Sequence, residues 1–170
     1  MSYLDDLSAL FGDNAPDLSE DNGRDGTIPA RTALETVRAQ LEESSQRVVE
    51  HPGGRFTGNG ECRGCGYATL EVVVDEEAGT CTFDINTHLR VQPEHAQATR
   101  RMLRMINGTL IQTGLTLDDE GIVHFIPEAP LDVRGGDDVA MAIGRGMSTV
   151  HSDAWKISSI AAGIPAWELD

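Results

Sequence analysis

The chain has 170 residues, enough for one domain with a core of its own and too few for two domains of ordinary size. Its 28 acidic residues against 13 Lys and Arg give a net charge of −15, which repels nucleic-acid phosphates and anionic lipid surfaces. Nucleic acid and membranes are therefore poor partners, and no segment approaches the ~20 apolar residues of a membrane span. The first residues lack the basic start and apolar run of a secretory signal, so we expect a cytoplasmic protein with reduced thiols at its three cysteines.

Residues 1–28 come first, and their composition predicts a largely flexible acidic arm. They hold seven acidic residues against one Arg, and several Gly and Pro residues interrupt any periodicity. A short amphipathic motif at 3–11 places Leu4, Leu7 and Phe11 on one side of a short helix. This motif either packs on its own domain or docks into a groove of a partner or a second copy.

Residues 29–170 are predicted to form a single α+β domain. Pro29 opens a first helix, and HPGG at 51–54 ends it. Apolar residues recur on one face of this helix: Leu34, Val37, Leu41 and Val48. Three strands are predicted next, RFTGNGE, ATLEVVVD and TCTFDINTHLRV, because β-branched and apolar residues alternate in the last two and glycines interrupt the first.

A long helix over residues 93–113 is expected to lie at the centre of the domain. Its apolar arc is about 160° wide, broader than the ~100° stripe of a surface helix, so we expect cover on two sides. Gly114 is expected to end it. On and beside its polar arc, we expect four residues to bind a protein segment, the acidic arm included: Arg100, Leu103, Arg104 and Leu110.

The rest of the chain predicts a hairpin and a last helix. LTLD and IVHFIPE flank the turn DDEG, and Asp137 then caps a helix that runs to Gly163 with apolar residues every three or four positions. The predicted order is αβββαββα. The fold class is α+β, with an antiparallel sheet of about five strands.

This order of elements resembles the class I type III secretion chaperones and the YbjN-like bacterial proteins described as sensory-transduction regulators. The local likeness lies in MLRMINGTLIQTGLTLDDEGIVHFIPEAPLD, where a helix ending near Asn and Gly leads into a short strand, an acidic turn and a second strand. The resemblance covers roughly residues 29–163. It implies a chaperone-like or regulatory protein-binding module that forms a homodimer. The Cys-bearing segment and the acidic arm are not part of the resemblance.

The segment GECRGCGYA places Cys62 and Cys65 at the spacing that lets one turn present two thiolates to zinc. A closed zinc site needs two further ligands, and the spacing does not select among Cys81, His51 and His88. Three interpretations stay open: a metal site, a redox-active dithiol, and two cysteines without a chemical role. No other motif carries a cofactor.

The last helix contains an internal glycine, which costs ~1 kcal/mol relative to Ala. Gly144 lies with small residues on a flank that also carries Met141 and Trp155. This flank either packs tightly against the long helix or forms a surface for a subunit or partner.

We therefore expect a non-enzymatic, dimeric protein-binding module whose partner is a protein or peptide segment. The first alternative is a metal- or redox-responsive regulator that uses the CxxC segment. The second is a small enzyme of unknown class, for which the five histidines provide no nucleophile-like motif.

Overall fold

The computed structural model describes residues 31–44 and 47–164, and three helices lie among seven antiparallel strands in this part of the chain. The elements are α1 (Ala33–Glu43), β1 (Val48–His51), β2 (Arg55–Cys62), β3 (Gly66–Asp75), β4 (Thr80–Arg90), α2 (Ala96–Asn107), β5 (Thr113–Leu117), β6 (Ile122–Pro127), β7 (Leu131–Asp132) and α3 (Val139–Ala161). The strands are ordered β1-β2-β3-β4-β6-β5, and β7 pairs with β4. The α+β class and the antiparallel sheet are confirmed.

The predicted count of about five strands is too low, because β1 and β7 were missed. Val48 fits the helical spacing of the first helix, but the structure pairs it with Gly58 of β2. The adjacent Val49 is also β-branched and pairs with Thr57, so a four-residue strand forms here. β7 has only two residues, too few to show a period of two.

α1 begins where side chains satisfy its first backbone amides. The hydroxyl of Thr32 accepts a hydrogen bond from the N–H of Glu35 at 3.2 Å, and the Glu35 carboxylate accepts from the N–H of Thr32 at 2.9 Å. The carboxylate of Glu76, in the β3–β4 turn, accepts from the N–H groups of Ala33 and Leu34. α1 is thereby tied to the sheet at its first turn.

One face of the sheet is apolar because every second residue of its strands points to the helices. The largest buried side chains of this face include Phe56, Val72, Ile85, Val123 and Phe125. α1 and α3 cover it, and α3 contacts β2, β4, β5 and β6. The opposite face is mostly polar, as the alternation in β3 and β4 requires, and it also exposes the apolar side chains of Val49, Tyr67 and Val73.

α3 is the central helix, and the prediction that gave this place to the segment 93–113 is wrong. α3 buries nine of its 23 residues, and Asp138 rather than Asp137 caps it by accepting from the N–H of Met141. The Asp137 carboxylate instead accepts from the N–H of Asp132. α2 buries only Thr99 and Leu103.

α2 is also shorter than predicted, because it ends at Asn107 and Gly108 forms its C-terminal cap. The side-chain amide of Asn107 donates to the carbonyl oxygen of Leu115 at 2.9 Å and accepts from the N–H of Leu115 at 2.7 Å. Gly114, expected to end the helix, is instead a buried residue of the edge strand β5. The Asn107 side chain thus occupies backbone groups that another strand would otherwise pair.

Candidate functional site

The outer side of α3 carries an exposed row of residues that we call the α3 stripe. Its members recur at intervals of four and three positions: Met141, Arg145, Ser148, Ser152 and Trp155. Met141 is 51% exposed and Trp155 is 40% exposed, high values for such large apolar side chains. A Cβ atom placed on Gly144, beside the stripe, would have no described atom within 4 Å. The flank predicted around Gly144 is therefore not packed against α2.

A small groove adjoins the N-terminal end of the stripe. It has a volume of about 110 Å³, and Ile111, Met141 and Arg145 are among the residues that line it. Ile111 is 73% exposed, in the turn that precedes β5. An Nη atom of Arg145 lies 3.1 Å from the sulfur of Met141. Exposed apolar atoms and a cation therefore lie together at this end of α3.

Of the residues of the long helix that were predicted to bind a protein segment, some lie at the surface and others lie in or against the core. Arg100 and Arg104 are exposed, and neither forms an ion pair with another described residue. Leu103 is only 3% exposed, so it belongs to the core and cannot line an accessible groove. Leu110 is half-buried and packs against the core. Leu4, Leu7 and Phe11, predicted to bind a partner, lie outside the described residues.

The CxxC segment forms the turn between β2 and β3, and its two cysteines are joined as a disulfide with a Cα–Cα distance of 5.3 Å. The expectation of reduced thiols therefore fails for Cys62 and Cys65. Cys81 is free and buried, and burial raises the pKa of its thiol to about 12. It remains protonated at neutral pH and is a poor nucleophile.

The three residues considered as further zinc ligands have other contacts. His51 Nε2 lies 2.7 Å from the hydroxyl of Thr57, and His88 lies 3.2 Å from the hydroxyl of Thr69. The third, Cys81, is in the core. Among the described residues no group of three His, Cys, Asp or Glu side chains is arranged to hold a metal ion.

The disulfide turn lies against α3 near the C-terminal end of the stripe. A Cβ atom placed on Gly64 would be 2.7 Å from the backbone nitrogen of Trp155 and 3.1 Å from its Cβ atom. Gly64 also has φ of +96°, in the left-handed region that favours glycine. The turn can therefore approach the helix this closely only with glycine at this position.

A polar cluster lies on the open face of the sheet, and it was not predicted from the sequence. His124 Nδ1 is 2.8 Å from a carboxylate oxygen of Asp84, and His124 Nε2 is 3.2 Å from one of Asp118. The ring can donate to both carboxylates only when both nitrogens carry protons. A hollow of about 530 Å³ that includes Asp84, Arg55 and Glu71 lies on the same face.

The sequence held part of the signal for this cluster. Asp84 lies between Phe83 and Ile85, and His124 lies between Val123 and Phe125, so alternation places both polar residues on the open face. The register of β4 against β6, which pairs Asn86 with His124, decides that they meet. Strand register between distant segments was not readable from the sequence.

The carboxylate of Asp118 also organises the β5–β6 turn. The N–H of Ile122 donates to it at 2.7 Å, and this bond, followed by the contact with His124, holds the pKa of Asp118 below its usual value. The N–H of Asp118 donates in turn to the carbonyl of Ile122. The turn is therefore most stable with Asp118 ionised.

The chain matches no protein-family model, no curated protein and no solved structure. None of the described helices combines the length and the apolar composition that crossing a membrane requires.

Proposed function

We propose that this protein is a cytoplasmic, non-enzymatic protein-binding module that forms a homodimer through the α3 stripe, in the manner that the YbjN-like and chaperone-like resemblance implies. The supporting observation is the exposure of Met141 and Trp155 on a helix whose opposite side is fully packed. Large apolar side chains at the two ends of a surface, with Gly144, Ser148 and Ser152 beside one cation between them, suit a helix–helix contact.

The spacing of the stripe suits a second copy of this chain as its occupant. Met141 and Trp155 each lie seven residues, about 10 Å along a helix, from Ser148. A twofold axis at Ser148 would therefore set Met141 against Trp155 of the partner subunit at both ends. Gly144 and Ser152 lie between these anchors, where two antiparallel helices would approach most closely.

Sedimentation velocity at micromolar concentration tests this dimer. We expect a mass of twice 18.3 kDa for the native chain and a monomer for Ser148→Arg, because the new cation would lie on the symmetry axis against its own copy. Thr82→Arg adds the same side chain at an exposed position of β4 and should leave the dimer intact. A monomeric native chain, or equal behaviour of the two variants, would refute the proposal.

The exposed arginines of α2 support an acidic protein segment as a further partner. Arg100, Arg101 and Arg104 all lie on the exposed side of α2, in a chain whose net charge is −15. A local cluster of cations in an acidic protein attracts acidic segments and orients them. An acidic segment bound to these arginines of α2 would leave the α3 stripe free for the second copy of the chain.

A synthetic helical peptide rich in Glu and Leu probes this second surface by fluorescence anisotropy. We expect Arg104→Glu to weaken its binding by roughly tenfold, since one close charge pair is reversed. Arg47→Glu makes the same change at an exposed residue just before β1 and should have little effect. Equal weakening by both variants would indicate an effect of net charge alone and would remove this partner.

A further inference from the structure

The two cysteines of the Cys62–Cys65 disulfide differ in exposure. Cys62 ends β2 and is 4% exposed, within the core. Cys65 belongs to the turn and is only half-buried, and the preceding residues Arg63 and Gly64 are exposed. Cys65 packs partly against the core but is the more exposed of the two cysteines, so it is the one that a thiolate arriving from solvent meets first.

The surroundings of Cys65 suit an incoming anion. Arg63 places an exposed cation within two residues of Cys65 and forms no ion pair with another described residue. A thiolate is the attacking form in disulfide exchange, and nearby cations favour it. In a molecule of net charge −15, this local cation offsets the repulsion that an anionic thiol would otherwise meet.

We propose that the Cys62–Cys65 pair is a reversible thiol–disulfide exchange site that reacts with low-molecular-weight thiols at Cys65. This chemistry concerns the β2–β3 turn and does not rest on the proposed dimer. In the cytoplasm, where the proposed function places this chain, a disulfide is typically transient and chemically active, so a reversible cysteine pair accords with that proposal.

The reaction with a dithiol balances in two steps. A thiolate of the dithiol forms a bond to the sulfur of Cys65, the Cys62–Cys65 bond breaks, and its electron pair leaves on the sulfur of Cys62, which takes up a proton. The second thiol of the reagent, as its thiolate, then attacks the mixed disulfide and releases Cys65 as a thiolate. The protein disulfide gains two electrons, and the dithiol is oxidised to a cyclic disulfide.

The buried third cysteine provides an internal control for a labelling experiment. The full-length protein is treated with iodoacetamide in its folded state, with or without dithiothreitol, and the labelled residues are identified by mass spectrometry. We expect no label without reduction. After reduction we expect Cys65 to be labelled first and Cys62, which is 4% exposed, to be labelled more slowly. Cys81 should react only after denaturation, because it is 1% exposed and its pKa is about 12.

Two outcomes would overturn the proposal. Labelling of Cys62 and Cys65 without reduction would mean that the disulfide does not form in solution. Failure of dithiothreitol to open it before the protein unfolds would make it a permanent structural bond. Repeating the reaction in buffers of oxidised and reduced dithiothreitol should give one reversible two-electron transition.

Serine variants test which sulfur is attacked. Cys62→Ser leaves the accessible Cys65 thiol, and Cys65→Ser leaves the shielded Cys62 thiol. With a chromogenic aromatic disulfide, we expect the first variant to react roughly tenfold faster than the second. Equal rates, or a faster Cys62, would contradict the assignment to Cys65. If either variant fails to fold, the labelling of the native chain still tests whether the disulfide opens reversibly.

Discussion

The helices α2 and α3 both carry apolar residues at helical spacing, yet they are buried to very different extents. α2 buries two of twelve residues, at the side of the edge strand β5, whereas α3 crosses the sheet and buries nine of 23. Met105 of α2 is 70% exposed. In α2 cationic and apolar residues alternate closely along the chain, while four of the nine buried residues of α3 are Gly or Ala and the other five are Val or Ile. Small residues within the buried stripe let a helix lie close against the sheet. They distinguish a central helix from a peripheral one better than the separation of apolar and polar faces does.

The largest expected effect is the difference in stability between a variant with a new carboxylate on α3 and one with a new carboxylate on α2. Ile143→Asp in α3 should unfold the domain, because Ile143 is fully buried and an unpaired carboxylate there costs several kcal/mol, comparable to the whole stability of about 5–15 kcal/mol. Met105→Asp in α2 should change the free energy of unfolding by only ~0.5 kcal/mol, since Met105 is exposed.

Urea denaturation followed by circular dichroism measures both variants. A folded Ile143→Asp protein, or an unfolded Met105→Asp protein, would reverse the assignment of the central helix. The central position that the sequence predicts for the helix over 93–113 would instead require Met105→Asp to unfold the domain, so this pair of variants separates the two views directly.

Smaller effects are expected from replacing two glycines of α3 by alanine, and the two replacements should change the stability in opposite directions. Gly146→Ala should destabilise the protein by about 1–3 kcal/mol, because the new Cβ atom would lie 2.6 Å from ring carbons of Phe125. In the monomeric Ser148→Arg background, Gly144→Ala should stabilise the protein by up to ~1 kcal/mol, because Gly144 then has open space and Ala is the better helix former.

Thermal unfolding at concentrations that keep the oligomeric state fixed compares these two variants. Destabilisation by both would mean that another surface already covers Gly144. Stabilisation by both would mean that α3 does not lie against Phe125 as described.

The smallest expected effect is a difference in acid sensitivity between the two helices. The lowered pKa of Asp118 means that its contribution to stability is present above its pKa in the unfolded chain and is lost as the pH falls through its pKa in the folded protein. Asp118 shares a hollow with Arg100 and Ala96, so acid should loosen the β5–β6 turn and the start of α2 before α3.

Amide hydrogen exchange between pH 6 and about pH 3 can resolve this order. In Asp118→Asn the exchange of the β5–β6 turn should depend less on pH, whereas Asp119→Asn, at the exposed neighbouring residue, should behave as the native chain. If α3 loosened first, the acid-sensitive region would lie elsewhere.

Residues with strong local preferences were predicted well from the sequence. The alternating residues of β3 and β4 and the periodic stripe of α3 gave both the type of element and its buried face. Positions decided by distant partners were not predicted. Val48 joins a strand because β2 lies beside it, and Asn107 ends α2 because its amide meets Leu115.

The candidate sites show the same division. The sequence placed Met141 and Trp155 on the flank of α3, away from its apolar stripe, but left open whether α2 covers that flank; the structure shows both side chains exposed. The cluster around His124 required the register of β4 with β6, and the close approach of the disulfide turn to α3 required the packing of Gly64 on Trp155. Neither is encoded in local spacing.

The bonds between Asn107 and Leu115 also limit how this sheet can grow. They occupy the outward backbone groups at the middle of β5, while β1 at the other edge pairs with β2 and with no other described strand. A fibril built by strand addition needs two competent edges on every molecule. A chain with one blocked edge can join a single copy across β1, and that contact closes on itself. Asn107 thereby blocks growth of the sheet by strand addition at β5.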